Sequence, residues 1–170
     1  MGIIDRLLGR TITRRVDEAV RRVLADHLDR EPHTAPEDPL QRMLVHGDRS
    51  RLHIDPTAVV NNALFNLSGG EVSVGAYAFF GHNVSVLTGS HDVNKFGEER
   101  QKAIAAEGQD VVIGEGVWVA SHAIVVGPCR IGPNAVVGVG SVVLDDVDPY
   151  TIVAGSPAEP VRAIEPDGAG

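Results

Sequence analysis

His91 is the side chain best suited by type and position to move a proton. The chain carries seven histidines, and an unperturbed imidazole titrates close to the pH at which a general base must work. His91 closes the run Thr88-Gly89-Ser90-His91 and precedes Asp92. It stands where a regular repeat stops and a long excursion begins. That position fits a general base, and the structural alternative is an ordinary loop histidine. Asp92 could orient the ring, although sequence neighbours often point apart. His82 and His122 could find a metal between copies of the chain; exposed edge residues are the simpler reading. His33, His46 and His53 fall in a polar run without ligand spacing and read as solvated surface. Cys129, the single cysteine, occupies an inward repeat position. A buried inert thiol is expected there rather than a nucleophile.

The elements that must hold these groups are read from Ile113 to Val143. Every sixth residue is aliphatic and β-branched: Ile113, Val119, Val125, Ile131, Val137 and Val143. Two residues before each comes a second set, Val111, Val117, Ala123, Cys129, Ala135 and Ser141. A period of six with a sub-period of two marks short strands, because a helix of 3.6 residues per turn cannot keep that set on one face. Small residues follow many of the aliphatics, where the chain must turn a tight corner. Three sides close a coil, and stacked coils bury each other's aliphatics. The fold class expected is therefore an all-β solenoid. Upstream, Val74, Phe80 and Val86 keep the step, and Ile54, Val60 and Asn66 keep it raggedly, so Asn66 is expected to face inward as the one polar misfit.

The rest of the chain divides by composition. Residues 1–30 read as an amphipathic helix, with Ile4, Leu8, Ile12, Val16 and Val20 on one face and several arginines on the other. It packs on the coils or their copies, or touches an anionic membrane surface through residues 3–28. Residues 31–51 hold Pro32, Pro36 and Pro39 and read as a linker. The solenoid is expected over 52–157, interrupted by a loop over 92–110 that leaves the repeat, as recognition loops on regular scaffolds do. Residues 158–170 are expected to form a short C-terminal helical cap and a frayed tail.

Composition narrows the function classes. A formal charge of −8 argues against a general nucleic-acid binder. One cysteine cannot support a disulfide framework within the chain and fits a reducing compartment. The N-terminus lacks a signal-peptide run and no apolar stretch approaches a membrane span, so the cytoplasm is expected.

The repeat, with Val117-Trp118-Val119-Ala120-Ser121 and Val153-Ala154-Gly155-Ser156-Pro157-Ala158, resembles the hexapeptide-repeat acyltransferases. Within them the likeness is to the maltose, galactoside and nodulation-type sugar O-acetyltransferases. It runs from about residue 52 to residue 164. The resemblance implies a left-handed parallel β-helix of hexapeptide repeats, against the right-handed preference of general crossovers. It implies a homotrimer and acetyl-CoA as co-substrate, with no metal. The Thr88-Gly89-Ser90-His91 run matches the family's run before its catalytic histidine, which implies His91 as base. The resemblance places Asn61 near the acyl group and acceptor, where an amide could hydrogen-bond either; a corner asparagine in left-handed backbone is the alternative. Ser121, Val139 and Arg162 match coenzyme-A contacts. Trp118 is expected to fill a subunit interface. Two departures stand out: Asp145 and Glu159 occupy positions where relatives often carry cations.

The activity so implied is acetyl transfer from acetyl-CoA to a hydroxyl of a sugar or glycan. Amino-sugar N-acetyl transfer is the nearest enzymatic rival. A non-catalytic trimeric structural module is the rival of another class. A metal protein like the gamma-class carbonic anhydrases is disfavoured, because Val126 and Ser121 stand where that family's motif places two of its histidines.

Overall fold

The computed structural model describes Glu18, residues 38–104 and residues 107–165. The chain divides into two units, Met1–Glu37 and Asp38–Gly170. The helix expected over 1–30 lies outside the described residues apart from Glu18. Among the described residues no helix is long and apolar enough to cross a membrane.

In the second unit the hexads form short strands on three sheets. The first sheet holds β1 (Leu44–His46), β3 (Leu64–Asn66), β6 (Ser85–Leu87), β9 (Ile124–Val126) and β12 (Val142–Val143). On the second lie β2 (Leu52–Ile54), β4 (Val72–Val74), β7 (Val111–Ile113) and β10 (Cys129–Ile131). The third is built from β5 (Phe79–Phe80), β8 (Trp118–Val119), β11 (Val136–Val137), β13 (Thr151–Gly155) and β14 (Ala158–Ala163). From β4 to β12 the chain visits second, third and first sheet in turn, which is a three-sided parallel β-helix. All pairings within the coils are parallel and in register. Phe65, Val86, Val125 and Val143 stack on one side, Val74, Ile113 and Ile131 on the next. Phe80, Val119, Val137 and Val153 stack on the third.

These stacks are the core, and all of them are buried. Each such aliphatic contributes about 1.5–3 kcal/mol of burial. Ser141 is also fully buried, and its hydroxyl accepts from the Gly155 N–H at 3.2 Å. Several corners are turns closed on the fourth residue, with the third in left-handed backbone: Tyr77, His122 and Gly140.

Three expectations need correction. Asn66 does not face inward; Phe65 does, stacked on Val86 and on the Phe80 ring at 6.2 Å. The corner between Val60 and Ala63 causes the slip. There Ala63 N–H closes on the Val60 carbonyl, and the left-handed residue is the second, Asn61, at φ 45°. The step from Val60 is thus one residue shorter. The linker segment 31–51 contains a strand, β1, whose Val45 pairs beside Phe65. Finally, the C-terminal cap is a strand and not a helix among the described residues: β14 runs antiparallel to β13 from Ala158 to Ala163. Gly155 at φ 107° begins the hairpin turn. Pro160 removes a donor and biases Glu159 to extended backbone, which suits an edge strand.

Candidate active site

The excursion leaves the coil at the corner between first and second sheets. β6 ends at Leu87, and Thr88 anchors the departing chain. Its hydroxyl, 1% exposed with its residue, donates to the Asn66 carbonyl at 2.8 Å and accepts from Gly69 N–H at 3.2 Å. Asn66 holds the same corner one rung away. Its amide oxygen accepts from the Ser68 N–H at 3.0 Å and the Ser68 hydroxyl at 2.6 Å. The polar misfit of the repeat is therefore a corner cap beneath the excursion.

His91 follows three residues after Thr88 and forms an antiparallel bridge with Ile104. Asp92 N–H donates to the Ala103 carbonyl at 2.9 Å. The start of the excursion is thereby joined to the residues that follow α1 (Gly97–Lys102). The imidazole is exposed, and its Nδ1 lies 2.8 Å from the Arg100 main-chain oxygen. A carbonyl can only accept, so Nδ1 carries the proton. The neutral ring then presents the lone pair of Nε2, the form a general base requires.

Asp92 does not orient His91. Its carboxylate accepts from the Asn94 N–H at 2.9 Å, an Asx turn within the loop. The Arg100 carbonyl does the orienting. Nothing in the sequence flags this residue, because the acceptor is a main-chain oxygen and Phe96, four residues earlier, is the extended residue before α1 rather than part of it. The guanidinium lies over the Phe96 ring, 4.8 Å from its centroid.

The other expected site residues lie on a different edge. Asn61, Ser121 and Val139 sit at corners between third and first sheets. Asn61 donates to the Phe80 carbonyl at 2.7 Å from left-handed backbone, the geometry of a corner asparagine. The Ser121 hydroxyl accepts from His82 N–H at 3.1 Å, and its carbonyl accepts from Gly140 N–H at 3.0 Å. Val139, beside it on the next rung, is 72% exposed. Arg162 lies on β14 opposite Ile152, exposed, its guanidinium on the Ala163 carbonyl at 3.0 Å. Within one chain, then, Asn61, Ser121 and Val139 gather along one edge while His91 leaves from another.

The remaining candidates are plain. His122 N–H donates to the His82 carbonyl at 2.9 Å, so the two lie on adjacent corners, and both are exposed. Among the described residues no three His, Cys, Asp or Glu side chains gather as a metal site would need. Cys129 is buried, and burial, reinforced by Asp146 and Asp145, pushes its thiol up to about 12. A thiolate nucleophile is excluded near neutral pH. Asp145 and Glu159 are both exposed, and Asp146 accepts from the Arg130 N–H at 2.6 Å.

Residues 110–145 match the bacterial transferase hexapeptide family, described as six repeats. This segment carries the hexapeptide repeat of that family. The match covers the six regular hexads and begins where the excursion returns to the coil. The chain is 30% identical over 115 residues to the galactoside O-acetyltransferase of Escherichia coli, covering 68% of this chain and 55% of that one. Among solved structures it is similar to a galactoside acetyltransferase in complex with coenzyme A. That likeness has a TM-score of 0.60 at 26% identity and covers 72% of this chain and 60% of the other. A maltose O-acetyltransferase from Clostridium difficile 630 superimposes with a TM-score of 0.51 at 26% identity, over 74% and 68% of the two chains. The chain spans about half the length of the curated relatives it matches.

Proposed function

We propose that this protein transfers an acetyl group from acetyl-CoA to a hydroxyl of a sugar or glycan, with His91 as general base. The observation that carries the reading is the bond from His91 Nδ1 to the Arg100 carbonyl, which makes Nε2 the lone-pair nitrogen of the neutral ring, in a side chain that is exposed. Nε2 takes the acceptor's hydroxyl proton as that oxygen attacks the thioester carbon. Backbone N–H groups steady the oxyanion. The intermediate collapses, expels the coenzyme-A thiolate, and the imidazolium returns the proton to sulfur. The loop 92–110 shapes the acceptor site. The likeness to sugar O-acetyltransferases, one of them bound to coenzyme A, supports donor and acceptor class.

Ser121 and Val139 would line the path of the donor and Arg162 would approach its phosphates. Asn61 spends one amide hydrogen on Phe80 and keeps another for the acyl group or acceptor. Because base and donor residues occupy different edges of one chain, a complete site needs a second copy. A homotrimer of left-handed coils satisfies this. The Phe79–Trp118 stack supports it: the rings lie 5.7 Å apart on the outer face of the third sheet, and Trp118 is 44% exposed. The cytoplasm suits the unpaired Cys129.

A non-catalytic trimeric module is the second reading, favoured by Asp145 and Glu159 where phosphate would expect cations. One experiment separates them. The protein is incubated with acetyl-CoA and a panel of sugars, products are weighed by mass spectrometry, and acetyl-CoA binding is titrated. A gain of one acetyl group is expected, and His91→Ala should lose about 10²–10⁴-fold in turnover while still binding acetyl-CoA. Failure of the wild type to bind acetyl-CoA would overturn the enzymatic reading, as would full turnover by His91→Ala.

A further inference from the structure

Arg100 makes an unusual set of contacts for an exposed arginine. Its Nε donates to the Lys95 carbonyl at 2.6 Å, and a terminal guanidinium nitrogen donates to the Val93 carbonyl at 3.1 Å. Its cationic plane lies on Phe96, 4.8 Å from the ring centroid. Among the described residues no carboxylate lies within ion-pair distance of it. Its side chain thus grips three residues of the loop's first half, Val93, Lys95 and Phe96. Its main-chain oxygen receives the His91 Nδ1 proton at 2.8 Å.

We infer that Arg100 is a positioning residue for His91: its side chain folds the loop so that its own carbonyl locks the imidazole in one tautomer. The inference rests on the proposed role of His91 as base. It names a residue that touches neither substrate nor the reacting atoms. The chemistry of the clamp is specific to arginine. Two carbonyls at different places need a fork of donors, and the aromatic face needs a flat cation. A lysine ammonium is a compact point charge and cannot reproduce that set. In the absence of the clamp the carbonyl drifts, the ring turns about χ, and both neutral tautomers become populated. The tautomer with the proton on Nε2 cannot act as the base.

The decisive readout does not depend on activity. The full chain is labelled with ¹⁵N-histidine, and the His91 ring is observed by NMR at a pH above the ordinary imidazole range. Wild type is expected to show one tautomer, protonated at Nδ1. Arg100→Gln should show a mixture, with turnover reduced on the order of 10–100-fold and the KM for acetyl-CoA unchanged. Arg100→Lys should restore neither. Phe96→Leu removes the ring but keeps both carbonyl bonds, so it should fall between. Circular dichroism of each variant should remain that of the coil, because the clamp lies wholly within the excursion. A single Nδ1-protonated tautomer retained in Arg100→Gln would overturn the inference, and so would rescue by lysine. If the tautomer mixes in Arg100→Gln but His91→Ala keeps full turnover, the positioning stands and the base reading fails.

Discussion

The side chain of Ser68 fills the space that a Cβ on Gly89 would need. The two residues belong to successive rungs at the corner from which the excursion departs. Ser68 cannot yield freely, because its hydroxyl is held at 2.6 Å and its N–H at 3.0 Å by the Asn66 amide oxygen. Thr88, on the other side of Gly89, is fixed to the Asn66 carbonyl at 2.8 Å. His91 is thus launched from a corner locked on both sides.

Gly89→Ala should therefore disturb the site more than its size suggests. Overpacking of this kind costs about 1–3 kcal/mol, and displacement of His91 should lower turnover on the order of 10²-fold. Ser68→Ala alone should cost about 1 kcal/mol for its lost hydrogen bond. The double variant should recover stability and turnover relative to Gly89→Ala, since removing the hydroxyl vacates the contested space. Denaturant melts and steady-state rates on the three variants test this. Strict additivity of the two losses would contradict the contact.

How far the sequence discloses the fold depends on the length of a corner. From Ile113 to Val143 every corner adds the same number of residues, and periodicity alone assigns each inward side chain. At Asn61 one residue fewer turns the corner, and the period assigns Asn66 where Phe65 belongs. Periodicity carries no information on that slip, because Phe65-Asn66 offers an apolar residue one place out of phase in an already ragged stretch. The C-terminal hairpin is hidden for another reason: Ala158–Ala163 pairs with the adjacent strand Thr151–Gly155, but Gly155-Ser156-Pro157 reads as readily as the stop before a cap as it does as a hairpin turn. At the site, the choice of His91 came from its place at the end of the repeat. The carbonyl that orients it came from Arg100, nine residues on, and main-chain acceptors have no sequence signature.

Phase at the first coil can be tested by stability. Phe65→Ala should cost about 3–5 kcal/mol, as truncation of a buried aromatic does. Asn66→Ala should cost less, about 1–3 kcal/mol, through the corner donors it leaves unpaired. Chemical denaturation measures both. The reverse ordering would return Asn66 to the interior.

Cys129 supplies a pH signature. Burial raises its folded pKa from 9.0 to about 12. The folded state therefore holds a proton that the unfolded state releases between those values, and unfolding becomes easier as pH rises through that window. Stability should be unaffected by this group below pH 9.0 and decline from there toward about pH 12. Cys129→Ala should flatten that alkaline slope relative to wild type, although it lowers stability at neutral pH through the small cavity it leaves. At pH 8 the native thiol should resist iodoacetamide and react only after unfolding. Rapid alkylation of the native protein would contradict the raised pKa.

The proposed trimer, with His91 as base on one edge and Val139 beside the donor on another, makes a prediction about mixtures. Val139 is exposed on its corner, so Val139→Trp can obstruct the proposed donor path without entering the core. His91→Ala removes the proposed base on the other edge. Each variant alone should be inactive or nearly so, because every interface in the proposed homotrimer would carry the same defect. Refolding the two together at equal amounts places a sound His91 against a sound Val139 edge at some interfaces. With random assembly and one site per heterologous interface, roughly a quarter of the sites are intact. Mixed trimers should recover activity toward that level, whereas mixing without refolding should recover none. If the two edges served one site within a single chain, no mixture could restore it.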